Sequence, residues 1–281
     1  MTSLSSPATP GPSTTAGAVV PPYRSQAGPA RITFGRLVRA ETIALFSLRS
    51  THVVLLIGGG LSFALSFLAT LSFSASGLTE APFFSFATIG LLFAQIAATM
   101  TGAGLYAKEH SSGSLRTQFA AAPRRVRTML AKAATLFVSI FVLGVILLVL
   151  SLAASAVVFV VGGRTIAFDL GVLLPIVVGG AAVLALTSVL GLGVAAIVRS
   201  EALTITIVLV LLLVLPVLLT LAAEQEWARV LSDLMFSHAT ATLTQPIDAV
   251  RDVLARDILI TITWPAAALA IGTAAVARRD A

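Results

Sequence analysis

Residues 106–132, YAKEHSSGSLRTQFAAAPRRVRTMLAK, form the one long polar island between two strongly apolar runs near the middle of the chain. Lys108, Arg116, Arg124, Arg125, Arg127 and Lys132 stand there against a single acid, Glu109. Basic residues that flank apolar runs collect on the cytoplasmic side of a membrane. The stretch therefore reads as a cytoplasmic loop, spanning 107–127, and the runs on either side of it as membrane helices.

Composition supports that frame. The chain has 281 residues, 57% hydrophobic and 11% charged, whereas soluble domains carry roughly 25% charge; its mean hydropathy is +1.01. An all-α integral membrane protein is the expected class. The net charge of +6 gathers beside apolar runs and not on a soluble face, so topology and anionic lipid headgroups account for it and nucleic acid is not an expected partner. The absence of cysteine removes disulfides and thiolate metal sites. Arginine far outnumbers lysine, whose copies are Lys108 and Lys132, and alanine is abundant; this bias suggests a GC-rich bacterial source and a place in the bacterial inner (plasma) membrane.

Six apolar segments, at about 53–73, 82–106, 128–161, 171–198, 203–222 and 258–277, each have the ~20 residues that a helix needs to cross a hydrocarbon core of ~30 Å. Placing both termini in the cytoplasm puts the central loop, Arg36, Arg39, Arg49, Arg199, Arg278 and Arg279 inside. It leaves Arg164, Arg229, Arg251 and Arg256 outside with most of the acids. Residues 1–30 are Pro, Ser, Thr, Ala and Gly with few large apolar side chains, a disordered cytoplasmic tail by composition. Over 31–50 a helical projection puts Phe34, Leu37, Val38, Ala44, Leu45 and Leu48 on one arc opposite Arg36 and Arg39, the pattern of a helix lying in the headgroup plane. Glu41 falls inside that arc. Either it pairs with a basic residue of the central loop or it snorkels to water.

The second span carries Thr88, Gln95, Thr99 and Gly102 at spacings that put all four on one helix face. Such a face meets another helix or a cavity, since a buried amide needs a partner in lipid. The fourth span is rich in small residues, which permits close packing or a hinge. Pro216 predicts a kink in the fifth span. In the outer segment 223–257, two short amphipathic helices are expected, one built on Trp227, Val230, Leu231, Leu234 and Met235 and one on Ile247, Val250 and Leu254.

Apart from Lys132, expected to reach the headgroup region, the trimmed spans hold no ionisable side chain. Proton-coupled transporters and voltage sensors need such groups inside the membrane. The His-Glu-x-x-His helix of metalloproteases and the phosphate loop of nucleotide hydrolases are also missing. If this chain drives a solute uphill, the energy arrives from outside the bilayer.

In the central loop, Glu109 is followed by Gly113 and Leu115, then by Pro123 and Arg125. This spacing resembles the loop between the second and third membrane helices of type-2 ABC transporter permeases, in which a Glu-x-x-x-Gly-x-Leu turn and a later Pro-x-Arg flank a short helix that docks on an ATPase. Ser114 stands where a Thr is usual, and Gln118 with Phe119 replaces an aliphatic pair. Over residues 31–279 the resemblance implies six transmembrane helices, an N-terminal interfacial helix and an outer re-entrant helical pair before the last span. It further implies a second permease subunit in a homo- or heterodimer, and a separate ABC ATPase subunit that holds ATP and Mg. This chain would be neither enzyme nor cofactor carrier. Glu109, Gly113, Leu115, Pro123 and Arg125 would couple to the ATPase with help from Glu41, and cargo would pass Thr88, Gln95, Thr99 and Gly102. An uncharged route suits hydrophobic or amphipathic cargo such as a drug, antibiotic, lipid or peptide, with efflux and antibiotic resistance as the expected context. Export of polysaccharide or sodium, passive transport, and a non-transporting subunit of a larger membrane complex are the alternatives.

Overall fold

The computed structural model describes residues 33–75, 83–111, 125–163 and 169–279, and among these there is no strand. Helix α1 is Phe34–Ser47, α2 Arg49–Ala75, α3 Phe83–Thr88, α4 Leu91–Ser111, α5 Arg125–Val161 and α6 Leu170–Val198. Helix α7, Glu201–Leu209, continues through a π-helical turn, Val210–Val214, into α8, Leu215–Leu221. Two short helices follow, α9 (Glu226–Asp233) and α10 (Phe236–Thr242), before the long α11 (Ile247–Arg279). Among the described residues, six helical stretches are long and apolar enough to cross a membrane, in α2, α3–α4, α5, α6, α7–α8 and α11. The protein is a multi-pass membrane protein.

Most of α6 is buried, whereas the other five spans are at most half buried; α4, α5 and α11 pack around it. Small residues make this possible. A Cβ on Gly102 of α4 would strike the carbonyl of Ser188, and one on Gly191 would lie 2.7 Å from the carbonyl oxygen of Thr99. The α4 and α6 backbones therefore meet almost directly, as membrane helices do where glycine removes the side-chain spacer. Gly193 does the same for α6 against Ala268 of α11. Packing thus accounts for these small residues of the fourth span.

Three elements differ from the sequence expectation. The second span is not one helix: α3 ends at Thr88, and the chain turns at Ile89 and Gly90 before α4. Gly90 lies against the Ser62 backbone of α2, where no Cβ fits, and its N–H donates to Ser66 Oγ at 3.1 Å. Thr88 is consequently on a separate helix from Gln95, Thr99 and Gly102. The expected kink at Pro216 is realised one turn earlier as the π-helical turn, in which the Leu215 N–H bonds to Val210 O. Proline has no N–H and its ring crowds the carbonyl four residues back, so the turn before it widens. Finally, 247–257 is not a separate short helix but the start of α11; the second short helix is Phe236–Thr242.

Helix α5, with 37 residues, is about 55 Å long at 1.5 Å per residue, well beyond the ~30 Å of a hydrocarbon core. The charged residues of α5, Arg125, Arg127 and Lys132, all lie at its N-terminal end.

Candidate functional site: a buried ion triad

At that end Lys108 of α4 reaches Ser50 at the start of α2, Glu109 of α4 reaches Lys132 of α5, and α1 packs against α5. Helix α1 turns Glu41 and Leu45 inward, so Glu41 belongs to the packed face. Thr135 of α5 fixes the crossing by donating to the Val38 carbonyl at 3.3 Å.

Lys132 is the centre of the site. Its side chain is 0% exposed, and Nζ lies 2.7 Å from Glu41 Oε2 and 2.8 Å and 2.7 Å from Glu109 Oε1 and Oε2. An ammonium has three donors and no acceptor, and here two of them go to carboxylates on two other helices, Glu41 Oε2 and Glu109 Oε1. Lys132 is enclosed by the packed end and does not extend to water, because Glu41 and Glu109 hold its ammonium there. Of the two readings of Glu41, pairing is the observed one, and its partner is Lys132.

Two carboxylates around one ammonium leave one negative charge in excess when all three are ionised. Burial pushes the Glu41 carboxyl above its ordinary value, against the pull of the Lys132 ammonium and with the push of Glu109. The cluster resists loss of its cation far more than loss of one anion.

A second contact closes the same end. Lys108 Nζ donates to Ser50 Oγ at 3.0 Å and lies 3.8 Å from Glu201 Oε1, joining α4 to the starts of α2 and α7. Ser200 caps α7 by accepting the Leu203 N–H.

Of the residues expected to couple, Glu41 and Glu109 are brought together, and Arg125 opens α5. Gly113, Leu115 and Pro123 lie outside the described residues. On the expected cargo face, Gln95, Thr99 and Gly102 are buried, Thr99 and Gly102 where α4 meets α6, and Thr99 Oγ1 donates to the Gln95 carbonyl at 2.9 Å. Thr88 stands apart on α3, its hydroxyl bonded to Phe84 O at 3.1 Å. Sequence reasoning missed Lys132 as the hub. The available signal was a lysine one turn into an apolar run in an arginine-rich chain, with two acids, Glu41 and Glu109, near the same membrane face.

The opposite end holds a second buried charge. Asp257 is 0% exposed; its carboxylate accepts from Thr242 Oγ1 at 2.7 Å and from Arg256 Nε at 3.0 Å. Arg256 Nη1 also reaches Asp233 Oδ2 at 3.3 Å, and Trp264 Nε1 donates to the Leu234 carbonyl at 3.1 Å. These bonds fasten α9 and α10 to α11. Asp257, read from sequence as an outer-loop acid, is a buried fastening group inside a continuous helix.

No protein-family model matches the chain, and no curated protein matches it. The site's meaning rests on its own geometry and on the resemblance in the central loop.

Proposed function

We propose that this chain is the membrane-spanning subunit of an ATP-driven ABC exporter in a bacterial inner membrane, moving hydrophobic or amphipathic cargo outward with energy from a separate ATPase subunit. The observation that carries the reading is the Glu41–Lys132–Glu109 triad. Residues 112–124 join the two helices whose ends Lys132 and Glu109 tie together, and Glu41 adds α1 to the same unit. A push on that segment reaches α1, α4 and α5 as one body, because a buried charge cluster is costly to separate. Two such chains would form the pathway, with both termini and residues 107–127 cytoplasmic, α1 lying in the headgroup layer, and α9–α10 as the outer re-entrant pair.

In this reading Glu109, Gly113, Leu115, Pro123 and Arg125 form the port for the ATPase, with Glu41 bracing it. Thr88, Gln95, Thr99 and Gly102 would form a cargo face that opens when α4 and α6 part, because Thr99 and Gly102 lie against the α6 backbone here. The uncharged character of that face suits cargo that sheds its water cheaply.

Co-purification from the native host tests the proposal. A nucleotide-binding subunit is expected to accompany the wild-type chain and to be lost from Gly113→Val, and vesicles holding both subunits are expected to move a hydrophobic dye only with Mg-ATP. Pumping by the purified chain in vesicles without any ATPase overturns it.

A further inference from the structure

The run Gly58-Gly59-Gly60 in α2 is used unevenly. Gly58 packs on α4, where a Cβ would collide with that of Ala97. A Cβ on Gly59 would meet only Leu147 Cδ1, at 4.0 Å, and one on Gly60 would meet nothing within 4 Å. Neither Gly59 nor Gly60 is therefore required by a close approach of another helix, and Gly60 borders open space.

That space is a groove of about 470 Å3 between α2, α4 and α5 with Leu184 of α6 also lining it, within the usual range for small-molecule sites of roughly 300–1,000 Å3. Leu56, Gly60 and Phe63 form one wall, Ala98 another, and Ile140 and Leu147 a third. Water has no partners along such walls, and an unfilled apolar void forfeits dispersion contacts. The natural filling is a hydrocarbon chain.

Position and charge narrow the occupant. Along α2 the groove runs from His52 to Phe63, a rise of about 16 Å at 1.5 Å per residue, or half of a ~30 Å core. It is one leaflet deep. Arg49 opens α2, is exposed, and stands one turn before His52 on the Leu56 and Phe63 stripe. His52 is the one titratable side chain among the lining residues, and no acid lines the groove.

We infer that this groove is a lipid site, holding one acyl chain of an anionic phospholipid from the leaflet at the Arg49 end, with the headgroup phosphate against Arg49 and His52. The inference stands independently of any ATPase.

Native mass spectrometry of the full chain tests it, after incubation in micelles with equal amounts of phosphatidylglycerol and phosphatidylcholine. The wild type is expected to keep one phosphatidylglycerol in preference to phosphatidylcholine. Gly60→Trp fills the groove and is expected to weaken that retention by about tenfold or more, since a chain loses its burial along many CH2 groups. Leu174→Trp, which puts the same side chain at an exposed apolar position of α6, leaves retention unchanged, and Arg49→Gln removes the preference for phosphatidylglycerol. If the tryptophan variant does not fold, Gly60→Leu gives the same reading with a smaller side chain. Undiminished retention in a folded groove-filling variant overturns the inference. So does equal retention of the two lipids by the wild type, or detergent held in place of lipid.

Discussion

Glu41 and Lys132, 91 positions apart in the chain, meet at 2.7 Å inside the packed end of the helix bundle. Glu109 holds the other side of the same ammonium. The contact turns three helices that the sequence presents separately into one mechanical unit, and it makes the cluster's tolerance to mutation asymmetric.

Lys132→Met leaves the buried Glu41 carboxylate facing the partly buried one of Glu109, and is expected to destabilise the chain by ~3–5 kcal/mol, the cost of orphaning a buried charge. Glu41→Gln keeps a hydrogen-bond acceptor and leaves Lys132 with Glu109 as a neutral pair, so its loss stays within about 1.5 kcal/mol. Thermal unfolding of the two variants in detergent checks the order; equal losses would show that Lys132 is not the hub.

The raised Glu41 pKa sets a pH dependence. A carboxyl whose folded value exceeds its ordinary 4.5 binds its proton more tightly in the folded chain. Its stabilising contribution is full below about 4.5 and is lost as pH rises through the folded value. Melting temperature against pH is therefore expected to fall in the wild type relative to Glu41→Gln across that interval. Parallel curves for the two chains would remove Glu41 as the source.

Gly102→Val drives a branched side chain into the Ser188 carbonyl and the Leu192 N–H, which belong to helix backbone and cannot rotate aside. The expected cost is at the upper end of the ~1–3 kcal/mol seen for overpacking, read as loss of monodisperse protein in size-exclusion chromatography. Gly35→Val, on α1 where a Cβ meets nothing within 4 Å, is the comparison and keeps the wild-type profile.

At the other end, Asp257→Ala takes the carboxylate from Thr242 and Arg256, leaving the Thr242 hydroxyl only the His238 carbonyl at 3.4 Å, and about 1–3 kcal/mol is expected from the lost bonds. The effect is local. Hydrogen exchange is predicted to rise across Phe236–Thr242, while the amides of α6, in the centre of the bundle, stay protected.

The apolar runs and their lengths made the six spans legible, because a helix that must cross hydrocarbon leaves little freedom in composition. Glu41 was legible as an anomaly, an acid inside an apolar arc. Its partner was not, because nothing local in a sequence says which of six nearby cations will be enclosed with it. The break at Gly90 was hidden for a similar reason: one glycine in a span reads as packing, and only the approach of Ser62 makes it a turn. The start of α11 was misread as a separate amphipathic helix because Pro246 and the acids after it have the composition of a loop, while the fastening of Asp257 is a tertiary event.

The π-helical turn at Val210–Val214 has a bearing on any future alignment. A widened turn accommodates one residue more than an α-helical one, so every side chain of Leu215–Leu221 is rotated by about 100° from where an unbroken helix would have put it. Comparing this span with the matching helix of another protein calls for a single-position gap there, and a stripe drawn straight through it joins residues that face different neighbours.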